Sequence, residues 1–159
     1  MSEDRYSADL QRGLEYQDYV FDQIRAMDGM PIFLGAYSSL KYQCGKGESP
    51  SGIEVKYDAK FRETGNLFIE TAEKSYSYQA SFHPSGVMSE DNSWLYLIGD
   101  YDEAFIFAKN LLCAFCVPNN PYVKYREIAT AQGYIFPIKY VNDKCLCAKH
   151  IYFKGSEKS

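Results

Sequence analysis

The chain has 159 residues, 46% of them hydrophobic and 16% aromatic, which predicts one folded, soluble domain and excludes a chain too short to bury a real core. A formal charge of −4 and a pI near 5.2 oppose a broad, nonspecific nucleic-acid surface, because phosphate contacts recruit clustered lysine and arginine. No apolar stretch follows the opening MSEDRYSADL and no run reaches the length of a transmembrane helix, so the expectation is an intracellular, cytoplasmic protein with no membrane partner.

In chain order, residues Ala8 to Met27 place Leu10, Leu14, Phe21 and Ile24 near one stripe, with Val20 and Met27 beside it, and so predict an amphipathic helix. Glu15 sits next to that stripe. Gly13 is expected to permit close approach to a sheet, so that Glu15 reaches inward to a metal or a lysine; the competing reading is a solvated boundary glutamate. Asp28-Gly29 predicts a turn and Pro31 to Ala36 a strand. The Gly- and Ser-rich stretch Gly45 to Gly52 predicts a loop, either a flap over substrate or a plain connector.

The next stretch, GIEVKYDAKFRETGNLFIETAEK from Gly52 to Lys74, carries acids and lysines where a buried strand carries none. Alternate side chains share a face of a strand, so Ile53, Val55 and Tyr57 oppose Glu54, Lys56 and Asp58. In the second run Leu67, Ile69 and Thr71 oppose Phe68, Glu70, Ala72 and Lys74. The segment between them, with Thr64, Gly65 and Asn66, suits a hairpin connection. If the strands pair, Asp58 and Glu70 could share a divalent cation, and hard oxygen ligands suit Mg²⁺ or Mn²⁺. A lysine nearby would position a water and stabilise developing negative charge. The bland alternative is a solvent-facing hairpin laced by cross-strand ion pairs.

These residues resemble the core of the PD-(D/E)XK nuclease superfamily, the restriction-endonuclease-like proteins, and the wider run GIEVKYD with TGNLFIETAEK resembles small nuclease-like proteins of bacteria and their phages. The resemblance covers roughly residues 9 to 110. It implies an α/β fold with a mixed central sheet, the first helix on one side and later helices on the other. It also implies metal-dependent phosphodiester hydrolysis with a nucleic-acid partner, DNA foremost, and a homodimer if both strands of a duplex are cut. Asp58 and Glu70 match the two acids, and the superfamily's acid from the first helix would be Glu15. The pattern's lysine is replaced by Ala72, so the role falls to Lys74, or to Lys56 through a second registration in which Glu54 and Lys56 form the acid-x-lysine pair. Metal ligands would be Asp58, Glu70 and Glu54. The replacement also supports an alternative reading, an inactive nuclease-like binding or regulatory module.

Lys60, Arg62, Lys41 and Lys46 add positive charge around this segment, compatible with a local phosphate-binding groove. Residues Ser75 to Ser93 read as irregular or partly helical, WLYLI from Trp94 to Ile98 as a central strand, Phe105 to Phe107 as another, and Lys109 to Phe115 as a helix. Pro118 to Pro121 marks a break, followed by mixed strands and short helices, and the GSEKS tail reads as mobile. His83 and His150 have no companions that would make a Ser-His-Asp hydrolase. Five cysteines in a reducing compartment are expected to stay reduced. Cys113 and Cys116, with Cys145, Cys147 and His150, make a structural zinc conceivable, against which the apolar run LLCAFCV favours buried thiols.

Overall fold

The computed structural model describes residues 3–27, 52–144 and 146–153. Helix α1 (Glu3–Arg25) comes first, then β1 (Ile53–Tyr57), a short α2 (Phe61–Thr64), β2 (Asn66–Glu73), β3 (His83–Pro84) and a 3₁₀ turn at Gly86–Met88. There follow β4 (Leu95–Gly99), β5 (Glu103–Ala108), α3 (Lys109–Phe115), β6 (Lys124–Ile128), β7 (Ala131–Pro137), α4 (Ile138–Asp143) and β8 (Lys149–Tyr152). The Asp28-Gly29 turn, the strand expected at Pro31 to Ala36, the loop up to Gly52, Lys41, Lys46, Cys145 and the GSEKS tail lie outside the described residues. No helix among the described residues is long and apolar enough to cross a membrane.

The strands form two sheets. One is mixed, in the order β1-β4-β5-β8, with β1 parallel to β4 and the other pairs antiparallel; the second is antiparallel, in the order β3-β2-β7-β6. The apolar run predicted as a central strand is β4, buried along its whole length. It can be apolar on both faces because both are covered. Leu95, Leu97, Ala104 and Ile106 point to one side and pack with Tyr16, Val20, Phe21 and Ile24 of α1. Tyr96, Ile98, Phe105 and Phe107 point to the other and pack with Leu67, Ile69, Tyr134 and Phe136 of the second sheet. Each such fully buried side chain contributes roughly 1.5–3 kcal/mol.

The α/β class and the mixed sheet with the first helix on one face match the expectation from sequence. The other face differs. It is covered chiefly by a second sheet, with Leu112 of α3 and Val141 of α4 filling in beside it. The expected hairpin is also absent: β1 and β2 belong to different sheets and do not pair. The cause lies in the connection, where Phe61 is buried in the layer between the sheets and a left-handed Gly65 at φ 68° ends the helical turn, so the chain steps across the core instead of folding back.

The helix stripe is only half as expected. Val20, Phe21 and Ile24 are buried, but the anchor at the N-terminal end is Tyr16, while Leu10 is exposed. Gly13 has open space around it, so it provides no close approach to a sheet.

Candidate functional site

Period-two alternation sends Ile53, Val55 and Tyr57 toward α1, where Ile53 and Val55 join the helix-side core and the Tyr57 ring meets Tyr16. Glu54 and Lys56 therefore point the opposite way, beside Tyr96 and Ile98 in the parallel register with β4. There the chain supplies a ladder of alternating charges. Asp91 and the buried Lys109 lie 2.9 Å apart, Lys109 Nζ stands 4.0 Å from Glu54 Oε2, Glu54 Oε1 stands 3.3 Å from Lys56 Nζ, and Lys56 Nζ stands 3.7 Å from Glu70 Oε1. The charged rows of β1 and β2 do meet, across the gap between two sheets and not within one hairpin.

Backbone irregularity in β2 helps place Glu70. The pairing with β7 shifts register between Glu70 and Ala72, which interrupts the strict alternation expected over residues 67–74. Ser85 then approaches from the following segment: its N–H bonds to the Thr71 carbonyl at 3.0 Å and its hydroxyl donates to Glu70 Oε1 at 2.8 Å. Gly86 makes that approach possible, since its φ is 53° and a Cβ there would lie 2.3 Å from the Glu70 carbonyl oxygen.

The electrostatics follow from this crowding. Burial lowers the affinity of Lys56 for its proton, but the carboxylates of Glu70, Glu54 and Glu73 outweigh it and hold the ammonium above its ordinary range. Burial pushes the Glu54 carboxyl up, against the pull of Lys56 and Lys109. Glu73 is raised as well, by burial and by Glu70. The Tyr96 hydroxyl is raised by burial and then by Glu54, Glu70, Cys116 and Asp58. Glu54 Oε2 and the Tyr96 hydroxyl are both buried without a hydrogen-bond partner.

The remaining candidates lie elsewhere or are otherwise engaged. Asp58 is half-buried and acts as a turn cap: Oδ1 accepts from the Lys60 N–H at 3.0 Å and Oδ2 from the Phe68 N–H at 3.2 Å. Lys74 Nζ donates to the Gln79 carbonyl at 3.1 Å and lies over the Phe82 ring. Glu15 is exposed on α1, where it accepts from Gln11 within the same helix. Arg62 is bound by Asp100, Asp102 and Glu103, and His150 is stacked on Phe105 with Nε2 2.6 Å from Glu103. His83 is exposed on β3.

Sequence reasoning missed Lys109, Asp91, Ser85 and Tyr96. One signal was available for the first: Lys109 is a lone cation inside FIFAKNLLCAF, where a buried ammonium needs a partner. Asp91 and Ser85 sit in the irregular 75–93 stretch, where nothing in the sequence marks a long-range contact.

Among the described residues, no three His, Cys, Asp or Glu side chains converge with the arrangement of a completed metal site. The donor chemistry of the cluster nevertheless suits a hard divalent cation: all donors are oxygens, Glu54, Asp58, Glu70, Glu73 and Asp91 are met by the ammonium groups of Lys56 and Lys109, and Glu54 Oε2 is an orphaned buried acceptor. The described thiols make a poor zinc site, since Cys113 donates to the Val87 carbonyl and Cys116 is packed in the core. No family model matches the chain, and no curated protein or solved structure is significantly similar to it.

Proposed function

We propose that this protein is a metal-dependent nuclease that hydrolyses phosphodiester bonds, with DNA as its substrate, and that the cluster between β1 and β2 is its active site. The supporting observation is the position of Lys56 between Glu54 and Glu70, 3.3 Å and 3.7 Å away, which joins acids and a lysine from the two runs that resemble the nuclease core. In this reading Glu54, Glu70 and Asp58 hold Mg²⁺ or Mn²⁺, and the β1 to β2 segment is the centre of a restriction-endonuclease-like core.

The cation, when bound, would lower the pKa of a water and neutralise charge on the phosphate. The chain's own groups supply the rest. Lys56, kept protonated by its carboxylates, is suited to stabilise negative charge on the phosphoryl oxygens and not to abstract a proton. Glu54, made more basic by burial, is the better acceptor for the proton of an attacking water. Lys74 and Glu15 take no part in the cluster, so the acid-x-lysine pair Glu54 and Lys56 replaces the registration that relied on Lys74.

The test is incubation of wild type and Glu70→Ala with labelled single- and double-stranded DNA and RNA in Mg²⁺, Mn²⁺ or chelator. Metal-dependent cleavage of DNA that disappears in the variant is the expected result. Absence of cleavage under every condition would overturn the reading in favour of a binding or regulatory module. That second reading has an observation of its own, because both oxygens of Asp58 already accept backbone N–H groups.

A further inference from the structure

Two buried oxygens in the cluster lack partners, and they are chemically complementary. Tyr96 lies on β4, fully buried, directly opposite Glu54 in the register with β1. Its hydroxyl has no hydrogen-bond partner, and neither has Glu54 Oε2. A buried phenol ordinarily finds one, because an unmade hydrogen bond away from water is costly. The ring alone explains the packing against Ile98, Phe105 and Phe107; a phenylalanine would serve that purpose equally.

The surroundings of the hydroxyl are those of the proposed site. Among the charges that act on it Glu54 is the strongest, followed by Glu70, with Asp58 also contributing. Carboxylates and a phenol close enough to interact, with the donor on one and the acceptor on the other both left over, describe a place for a third polar group between them. A water bound to a cation has the required chemistry, since it donates to a carboxylate and accepts from a phenol.

We propose that Tyr96 is a positioning residue of the cation site: its hydroxyl donates to a water that also donates to Glu54 Oε2 and belongs to the hydration shell of the bound divalent cation. The inference rests on the site assigned above, but not on the substrate. It gives Tyr96 a task that a phenylalanine cannot perform, and it states why the hydroxyl is unpaired in the protein without cation.

The experiment compares wild type, Tyr96→Phe and Glu54→Gln, all stripped of metal, by thermal melting without cation and by calorimetric titration with MnCl₂. Nuclease assays on the same preparations form a separate arm. The expected result is a Tyr96→Phe protein that melts at or above the wild-type temperature without cation, yet binds Mn²⁺ roughly tenfold or more weakly, as loss of an outer partner of a metal site does. Glu54→Gln should lose more affinity than Tyr96→Phe. Unchanged Mn²⁺ affinity in Tyr96→Phe, a markedly lower melting temperature without cation, or no Mn²⁺ binding by wild type would each overturn the proposal. A wild type that binds Mn²⁺ through Tyr96 but cleaves no nucleic acid would instead remove the nuclease reading and leave this one standing. Normal cleavage and normal Mn²⁺ affinity in Tyr96→Phe would do the reverse.

Discussion

The Lys56 ammonium lies 3.7 Å from the Glu70 carboxylate although the two residues sit on strands of different sheets. The contact spans the layer between the sheets, so it reports the assembly of the whole fold and not a local hairpin. It also separates two lysines that the sequence leaves in competition. Lys56→Met should lower metal-dependent cleavage by about 100-fold, the scale on which one charge-stabilising donor acts. Lys74→Ala should leave the rate within a few-fold of wild type, because its ammonium is spent on the Gln79 carbonyl and the Phe82 ring. Single-turnover rates on one DNA substrate would decide; the opposite ranking would transfer the role to Lys74.

A second lysine anchors the far end of the same ladder. Lys109 is buried and held by Asp91 at 2.9 Å, with the Ser89 carbonyl also accepting at 2.9 Å. Burial raises the Asp91 carboxyl, but hydrogen bonds from Lys109 and Ser93 outweigh it, and its pKa falls below the ordinary value. A carboxyl depressed by folding stabilises the fold above its unfolded pKa of 3.8, and that contribution is lost as pH falls through the lower folded value. Asp91→Ala leaves a buried ammonium without its closest partner and should cost about 3 kcal/mol at pH 7. Urea melts at a series of pH values should show this gap closing below pH 3.8. A gap that stays constant with pH would mean that the pair is not its source.

Gly86 offers a test of how Glu70 is placed. Its φ of 53°, and the 2.3 Å that would separate a Cβ at this position from the Glu70 carbonyl oxygen, leave no room for a side chain. Gly86→Ala should destabilise the protein by about 2 kcal/mol, through strain in a left-handed conformation plus displacement of β2. Because the displaced strand carries Glu70 away from Ser85 and Lys56, cleavage should fall as well, even at temperatures where the variant is fully folded. Wild-type cleavage in a destabilised but folded Gly86→Ala would show that the site tolerates movement of β2.

Much of the secondary structure is legible in the sequence because it depends on local pattern. The apolar WLYLI, the alternation in IEVKY, the helix at Lys109 to Phe115 and the break at Pro118 to Pro121 carry their own signals, and each stands close to where the pattern puts it. The polar face of β1 is legible for the same reason. The pairing of strands is not. Nothing in FRETGN says that Phe61 will be buried between two sheets, and that burial is what converts an apparent hairpin into a crossing. The partners of Glu70 are illegible for a related reason, since the register shift after it breaks the alternation on which the face assignment relies. Lys74 is favoured by spacing along one strand, whereas Lys56 is brought to Glu70 by packing of one sheet on another, which spacing does not encode.

The cysteines give a last prediction that bears on the zinc expectation. The Cys116 thiol is buried in the core between the sheets, and burial, with Cys113 adding to it, pushes its pKa up to about 12. At pH 8 only on the order of one molecule in ten thousand would then carry the thiolate, which is the form that reacts and that binds metal. Cys113 is raised too, by burial, and its Sγ is engaged with the Val87 carbonyl. Native protein treated with iodoacetamide at pH 8 should therefore keep Cys116 unmodified over a time in which unfolded protein is alkylated at all five cysteines. Peptide mapping by mass spectrometry reads the outcome site by site. Rapid alkylation of native Cys116, or stoichiometric zinc in the purified protein released with the appearance of reactive Cys113 and Cys116, would show that the C-x-x-C is a ligand pair and not part of the packed core.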